Sequence, residues 1–223
     1  CNLMTLELKK RIITSLFLVS LLTLMFFYTF ILIISLIIIA VITWIEFYAL
    51  ITKILSKKNF KDKFLRYLFK SISLLYLSSL VYLILMTKSK NPEFEIVIIF
   101  SILISIMTDI GGLVIGKIFK GKRLTKMSPK KTISGSLGSF IFSILLIPFF
   151  TKYFFEYNLS ELIIITIVIS LISQIGDLFI SFLKRKAKVK DTGDLLPGHG
   201  GFLDRIDGII FSIPVSFLLF INY

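Results

Sequence analysis

Residues 12–52 read IITSLFLVSLLTLMFFYTFILIISLIIIAVITWIEFYALIT, an apolar run in which Glu46 is the one charged residue. A membrane-spanning helix needs about 20 mostly apolar residues. This run is therefore too long for one span and too uncharged for a soluble surface. We predict two membrane helices here, joined by a tight turn near residues 27–30.

Five further apolar runs follow along the chain. Of all residues 56% are hydrophobic and 17% are charged, and the mean hydropathy is +0.93, beyond the range of soluble domains. The sequence thus predicts an all-α, polytopic transmembrane bundle of about seven spans, forming a single integral membrane domain over residues 1–223. The five later spans are expected near residues 68–87, 96–118, 132–150, 159–180 and 206–221.

The basic residues orient these spans, because lysine and arginine concentrate in cytoplasmic loops. Of the 26 lysines and arginines, all but Lys88, Lys90 and Lys152 fall on one side of the predicted topology. We therefore expect a cytoplasmic amino end and an external carboxyl end. Topology and attraction to anionic lipid headgroups account for the net charge of +13, so no nucleic-acid partner is needed.

The amino end and the single cysteine give less information about the fold than the apolar runs do. Cys1 is the single cysteine, which excludes an internal disulfide framework and a cysteine-rich metal site. The sequence lacks an initiator methionine at its first position, so we expect either a fragment or a start at Met4. The first apolar run has no small-residue cleavage site, and we interpret it as a retained anchor.

Residues 181–207 read SFLKRKAKVKDTGDLLPGHGGFLDRID and differ in composition from every other connection. We call residues 181–205 the signature loop and expect it in the cytoplasm. It mixes acids, bases, glycines, a proline and the one histidine, His199. Pro197 and the glycines around it predict a turn whose backbone N–H groups can approach phosphate oxygens.

Three aspartates at this membrane face suggest a cation site. Asp204 and Asp207 are three residues apart, so a helix beginning the last span would carry both carboxylates on one face. Asp177, near the cytoplasmic end of the preceding span, could complete the site. Hard cations such as Mg²⁺ bind carboxylate and phosphate oxygens together. Asp109, also at membrane depth, is a candidate on the same grounds.

Each of these residues also has a structural explanation. Asp204 and Asp207 favour a helix amino terminus, and Asp177 could be a polar contact between helices. The basic residues 184–190 fit ordinary positive-inside charge. Glu46 lies about two turns from a predicted helix end, where it could reach interfacial water. Because all of them share one membrane face, an active site is the favoured interpretation.

The spacing in residues 181–207 is Ser-x-Leu-Lys-Arg, four residues, Lys-Asp-x-Gly, two residues, Leu-Pro-x-His-Gly-Gly, two residues, Asp-Arg-x-Asp. It resembles the signature of the phosphatidate cytidylyltransferases, or CDP-diacylglycerol synthases. Gly176-Asp177-Leu178, Ser128-Pro129-Lys130-Lys131-Thr132 and Trp44-Ile45-Glu46 also resemble family elements. The resemblance therefore covers most of the chain.

This resemblance implies transfer of CMP from CTP to phosphatidic acid, giving CDP-diacylglycerol and pyrophosphate. It implies a multi-pass protein of the bacterial cytoplasmic membrane, surrounded by membrane lipids and pairing as a homodimer. Magnesium, with a second monovalent cation such as K⁺, is the implied cofactor. The implied groups are Asp177, Asp204, Asp207, Lys184 and Arg185 as catalytic residues, the three aspartates as metal ligands, and Lys130, Lys131, Thr132, Ser181, Lys190, Asp191, His199, Gly200, Gly201 and Arg205 as substrate-binding residues.

The chain departs from the family pattern upstream of the signature. Ile133-Ser134-Gly135 replaces Trp-Glu-Gly, and Ile180 replaces a glutamate. A CTP-dependent transferase for another lipid, a catalytically degenerate relative and a small transporter therefore stay open as alternatives. A transporter predicts polar residues at the midplane of several spans, whereas the charged residues here gather at one face.

Overall fold

The structure is a computed structural model and describes residues 2–57, 59–90, 92–125, 128, 131–196 and 200–220. Within these ranges the chain forms helices and no strand, which confirms the predicted all-α class. The helices are α1 (Asn2–Phe27), α2 (Thr29–Ile54), α3 (Phe60–Lys90), α4 (Pro92–Phe119), α5 (Ile133–Ile144), α6 (Ile147–Phe150), α7 (Leu159–Lys186), α8 (Leu203–Ile206) and α9 (Ile209–Phe220).

The first apolar run is divided at Tyr28, inside the predicted turn. Tyr28 has an extended backbone, with φ −118° and ψ 106°, and its carbonyl accepts from Leu32 N at 3.0 Å to begin α2. The prediction of two helices in this run is therefore confirmed. The division follows from length, since the whole run is about twice as long as the roughly 20 residues that cross a bilayer as one helix.

Five helices among the described residues are long and apolar enough to cross a membrane, which indicates a multi-pass membrane protein. They are Thr29–Ile54, Phe60–Lys88, Glu95–Phe119, Ile133–Phe150 and Leu159–Lys186, with a shorter apolar helix at Ile12–Phe27. Each lies over a predicted span. The count of seven spans and the cytoplasmic amino end stay predictions.

The chain divides into two compact units. Unit one comprises Cys1–Leu85 and Leu183–Arg205, and unit two comprises Met86–Phe182 and Ile206–Tyr223. Unit one therefore contains α1, α2, most of α3 and the signature loop from residue 183 onward. Unit two contains α4, α5, α6, most of α7, and α9.

Close packing of small residues joins α4 to α5 in unit two. A Cβ added to Gly111 would lie 2.5 Å from the carbonyl oxygen of Gly138, and one added to Gly135 would lie 2.7 Å from that of Gly112. The two backbones are in contact because these side chains are missing. In a lipid solvent, where burial of apolar surface drives little association, such contact is a main source of helix affinity.

Buried hydroxyl groups connect the helices of unit two. Thr108 and Ser170 share a hydrogen bond of 2.7 Å between α4 and α7, and Ser105 and Ser212 share one of 2.8 Å between α4 and α9. Ser139 of α5 donates to the carbonyl of Thr108 at 2.6 Å. Polar contacts thus run through the interior of this unit.

The last predicted span does not begin as expected. α8 is a single turn that ends at Ile206, Asp207 and Gly208 form a turn, and α9 starts at Ile209. The prediction that one helical face carries Asp204 and Asp207 is therefore wrong. The break has a local reason, because the Asp207 carboxylate accepts from Gly208 N at 2.9 Å, and such a bond from a side chain to the nearby backbone competes with the hydrogen bonds of a helix.

Candidate functional site

The first residues of the signature loop, 181–186, still belong to α7, which then ends in a Schellman motif. Val189 N donates to Lys184 O at 3.0 Å, and Lys188 N donates to Arg185 O at 3.1 Å. Lys188 has a φ of 55°, the left-handed conformation that glycine adopts most easily. This cap satisfies carbonyls at the helix end and turns the chain into the loop.

The two residues that close the predicted glycine turn, Leu196 and Gly200, pair through their backbones. Leu196 N donates to Gly200 O at 3.0 Å, and Gly200 N donates to Leu196 O at 3.1 Å. Gly200 has a φ of 81°, which explains the need for glycine at that position. His199, predicted to contact substrate, lies outside the described residues, as does Lys130.

Asp204 is the centre of a polar cluster in unit one. Its carboxylate forms an ion pair with Lys184 and accepts from Thr192 N at 2.8 Å, and the Thr192 hydroxyl oxygen lies 3.1 Å away. The Asp204 side chain is 7% exposed and that of Lys184 is 15% exposed. Two predicted catalytic residues, 20 positions apart in the chain, are thus brought together.

Glu46 of α2 belongs to the same cluster. Its carboxylate accepts from Thr192 Oγ1 at 2.7 Å, from Phe202 N at 2.9 Å and from Leu203 N at 2.9 Å. The residue is 7% exposed, so the alternative in which it reaches interfacial water does not hold. The physical reason is the signature loop, whose N–H and O–H groups take the place of water.

Two glycines allow the loop to approach Glu46 so closely. A Cβ on Gly193 or on Gly201 would lie 2.7 Å from an oxygen of the Glu46 carboxylate. A side chain at either position would force the Glu46 carboxylate or the loop to shift. The glycines of the signature are therefore used here to surround a buried carboxylate.

Unit two holds a second carboxylate–lysine pair. Asp177 of α7 forms an ion pair with Lys131 and accepts from Ser181 Oγ at 3.2 Å. Both charged side chains are partly exposed, at 22% for Asp177 and 28% for Lys131. A ligand in solution can therefore reach this pair.

A short backbone bridge positions Lys131. Arg123 and Thr132 pair in antiparallel fashion, with Leu124 N donating to Lys131 O at 2.8 Å. Thr132 then caps α5, since its hydroxyl oxygen accepts from Gly135 N at 3.1 Å. This predicted substrate-binding residue thus already supports the helix after the loop.

The remaining predicted site residues lie in different surroundings. Asp207 is 7% exposed, and its Oδ1 accepts from Gly208 N at 2.9 Å. Four others lie at the protein surface: Arg185, Lys190, Asp191 and Arg205. Asp109, the other acidic candidate at membrane depth, is also exposed.

The fit to a metal ion depends on oxygen donors. In the described part of either unit, no three His, Cys, Asp or Glu side chains form a group that could hold an ion. Each unit nevertheless offers a predicted metal-binding carboxylate beside a hydroxyl, Asp177 with Ser181 and Asp204 with Thr192. Such a donor set suits a hard cation that takes its remaining ligands from phosphate and water.

Comparison with known proteins identifies the family. The model of the cytidylyltransferase family matches residues 3–222. The chain belongs to the cytidylyltransferase family. This membership confirms, at the level of the family, the resemblance seen in the signature loop.

Three relatives of this cytidylyltransferase-family chain are named phosphatidate cytidylyltransferase. The protein of Rickettsia prowazekii is 41% identical over 145 residues, covering 61% of this chain and 63% of that protein. The Staphylococcus saprophyticus protein is 36% identical over 172 residues, covering 76% and 64%. The Staphylococcus aureus protein (strain COL) is 41% identical over 128 residues, covering 56% and 49%. The chain thus matches less than two thirds of the length of these relatives.

Sequence reasoning about this cytidylyltransferase-family chain missed the importance of Glu46 and Thr192. The signal for Glu46 was present, because it is the one charge in a long apolar run and such residues are functional candidates by default. Thr192 gave no comparable signal. Its hydroxyl matters only because the loop places it against two carboxylates.

Proposed function

We propose that this chain transfers CMP from CTP to phosphatidic acid, producing CDP-diacylglycerol and pyrophosphate. Membership of the cytidylyltransferase family and the name of the relatives support this proposal. The observation that carries it is the Lys184–Asp204 pair, largely buried and hydrogen-bonded within the signature loop. A second pair, Lys131–Asp177, offers another cation next to a carboxylate.

The reaction needs placement of charge more than proton transfer. An oxygen of the phosphatidate phosphate attacks the α-phosphorus of CTP. The bond from that phosphorus to the oxygen bridging the α- and β-phosphates breaks, and pyrophosphate leaves with the electron pair. The nucleophile is already ionised at neutral pH, so a strong general base is unnecessary. Positioning and charge neutralisation then supply most of the rate enhancement.

The residues of the two carboxylate–lysine pairs have matching roles in this proposal. Lys184 and Lys131 bind phosphate oxygens, while Asp204 and Asp177 hold these lysines in place before substrate arrives. Ser181 donates a hydrogen bond at the Asp177 end. Mg²⁺, when bound by carboxylate and phosphate oxygens, would neutralise the charge on the triphosphate. The basic surface residues near the loop favour approach of both anionic substrates.

The experiment measures pyrophosphate and CDP-diacylglycerol from purified protein with CTP, dioleoyl phosphatidic acid and Mg²⁺. Wild type is compared with Asp204→Asn and with Asp62→Asn, a matched change at a carboxylate that accepts from Lys57 N at 3.2 Å. We expect turnover that needs both substrates, is lost in Asp204→Asn and persists in Asp62→Asn. Folded protein that binds CTP without turnover would refute the activity, and turnover with another lipid alone would refute the choice of phosphatidate.

We also propose the bacterial cytoplasmic membrane as the location and a homodimer as the assembly. Apolar helices long enough to span a membrane and relatives from bacteria support the location. The homodimer rests on the family resemblance. Cross-linking in native membranes, with the mass of the product measured, tests it, and a product of monomer mass alone would contradict it.

A further inference from the structure

Glu46 receives three hydrogen bonds from two separate parts of the signature loop. Phe202 N donates to Oε1, while Leu203 N and the Thr192 hydroxyl donate to Oε2. These groups are 146 to 157 positions from Glu46 in the chain. Charge-assisted hydrogen bonds of this kind are about twice as strong as neutral ones.

Two routes lead from Glu46 to Asp204. The first passes through Thr192, whose hydroxyl lies 2.7 Å from Glu46 Oε2 and 3.1 Å from Asp204 Oδ2. The second passes through the backbone, because Phe202 and Leu203 directly precede Asp204 and lead into α8. Glu46 thereby satisfies N–H groups at the start of this helical turn, which otherwise lack partners.

We infer that Glu46 is a positioning residue, which sets the orientation of Asp204 and its partner Lys184 from the transmembrane helix α2. The inference builds on the proposed function, since Asp204 and Lys184 are the groups assigned to the reaction there. Glu46 itself contacts the loop and acts through it. The signature loop is thus anchored to the membrane helix α2.

The carboxylate is specifically required by this geometry. Both of its oxygens accept from a backbone N–H group. A glutamine of the same shape has one oxygen and one NH₂ group, so either orientation of its amide places a donor against an N–H donor. An aspartate keeps the charge but is one methylene shorter, and cannot reach both N–H groups from the same backbone.

The test uses the full chain in lipid nanodiscs. Glu46→Gln is compared with Glu161→Gln, the same chemical change at the start of α7, where the carboxylate accepts from Asn158 N at 2.9 Å. Thr192→Val and Thr192→Ser test the side-chain route separately. Hydrogen–deuterium exchange of residues 183–205 is measured without substrate, and kcat and KM are measured for CTP and dioleoyl phosphatidic acid.

We expect Glu46→Gln to accelerate exchange at Phe202 and Leu203 and to lower kcat roughly 10- to 100-fold, the usual effect of losing an outer partner of a site residue. Glu161→Gln should leave both measurements at wild-type values. Thr192→Val should lower kcat while Thr192→Ser restores it, because serine keeps the hydroxyl. That rescue separates positioning from a general loss of packing.

Two results would overturn the inference. Wild-type exchange in the loop of folded Glu46→Gln protein would show that Glu46 does not hold it. Faster exchange with unchanged kcat would show that the anchor has no part in placing Asp204. If wild type itself has no turnover, the proposed function fails, and the exchange comparison still decides whether Glu46 positions the loop.

Discussion

Lys188 adopts a φ of 55° at the end of α7, and this conformation should make its replacement by glycine stabilising. A residue with a Cβ loses roughly 1–2 kcal/mol in the left-handed region, while glycine does not. The flanking hydrogen bonds, Val189 N to Lys184 O and Lys188 N to Arg185 O, involve backbone atoms only. Lys188→Gly therefore relieves the strain and keeps the cap.

The expected gain is smaller than the relieved strain, because glycine also has more freedom in the unfolded chain. That freedom costs roughly 0.5–1 kcal/mol, which leaves a net stabilisation of roughly 0–1.5 kcal/mol, with a central value of about 0.75 kcal/mol. For a chain of this length the central value raises Tm by about 1.5–3 °C. Loss of the lysine charge contributes little, since the side chain is exposed.

The assay is thermal unfolding of purified protein in one detergent, with Lys188→Ala as the matched control. Alanine removes the same charge but keeps a Cβ, so it should gain nothing over wild type. A Tm for Lys188→Gly at or below that of Lys188→Ala would refute the reasoning. It would mean that the left-handed conformation is not strained in the folded protein.

Three other substitutions test the packing of the helices. Gly138→Val should destabilise unit two by about 1–3 kcal/mol, since a Cβ there overlaps Ile115. Unfolding in SDS measures this loss. A variant as stable as wild type would contradict the close packing of α4 on α5. Thr132→Val should cost about 1 kcal/mol through loss of the α5 cap, and Thr132→Ser should restore it in the same assay. Lys70→Met should change the fluorescence of Trp44, the single tryptophan, because the Lys70 ammonium lies 5.1 Å from the centroid of the Trp44 ring. An unchanged emission spectrum would argue against this cation–π contact.

The sequence predicted features that depend on local composition. The break at Tyr28 followed from comparing the length of an apolar run with the thickness of a bilayer. The turn closed by Leu196 and Gly200 followed from the proline and the glycines in this part of the sequence. Both rest on interactions among neighbouring residues, which a single sequence records directly.

Two expectations differ from the structure because contacts that spacing does not show decide the conformation. The spacing of Asp204 and Asp207 allows one helix to carry both, but the helix ends at Ile206 and the Asp207 carboxylate accepts from Gly208 N. The position of Glu46 near a predicted helix end allows it to reach interfacial water, but its carboxylate accepts from a group more than 140 positions away. Periodicity along a segment contains no information about such partners.

The sequence by itself thus determined that the chain lies in a lipid bilayer, that it is helical, and which residues form the signature loop. Hydropathy, charge and motif spacing, on which these conclusions rest, are properties of the chain alone. Tertiary structure decided which groups meet. It paired Lys184 with Asp204 and Lys131 with Asp177, and it buried Glu46 beneath the loop. The physical reason is that a buried carboxylate needs hydrogen-bond donors, and only the folded chain brings donors from distant segments to it.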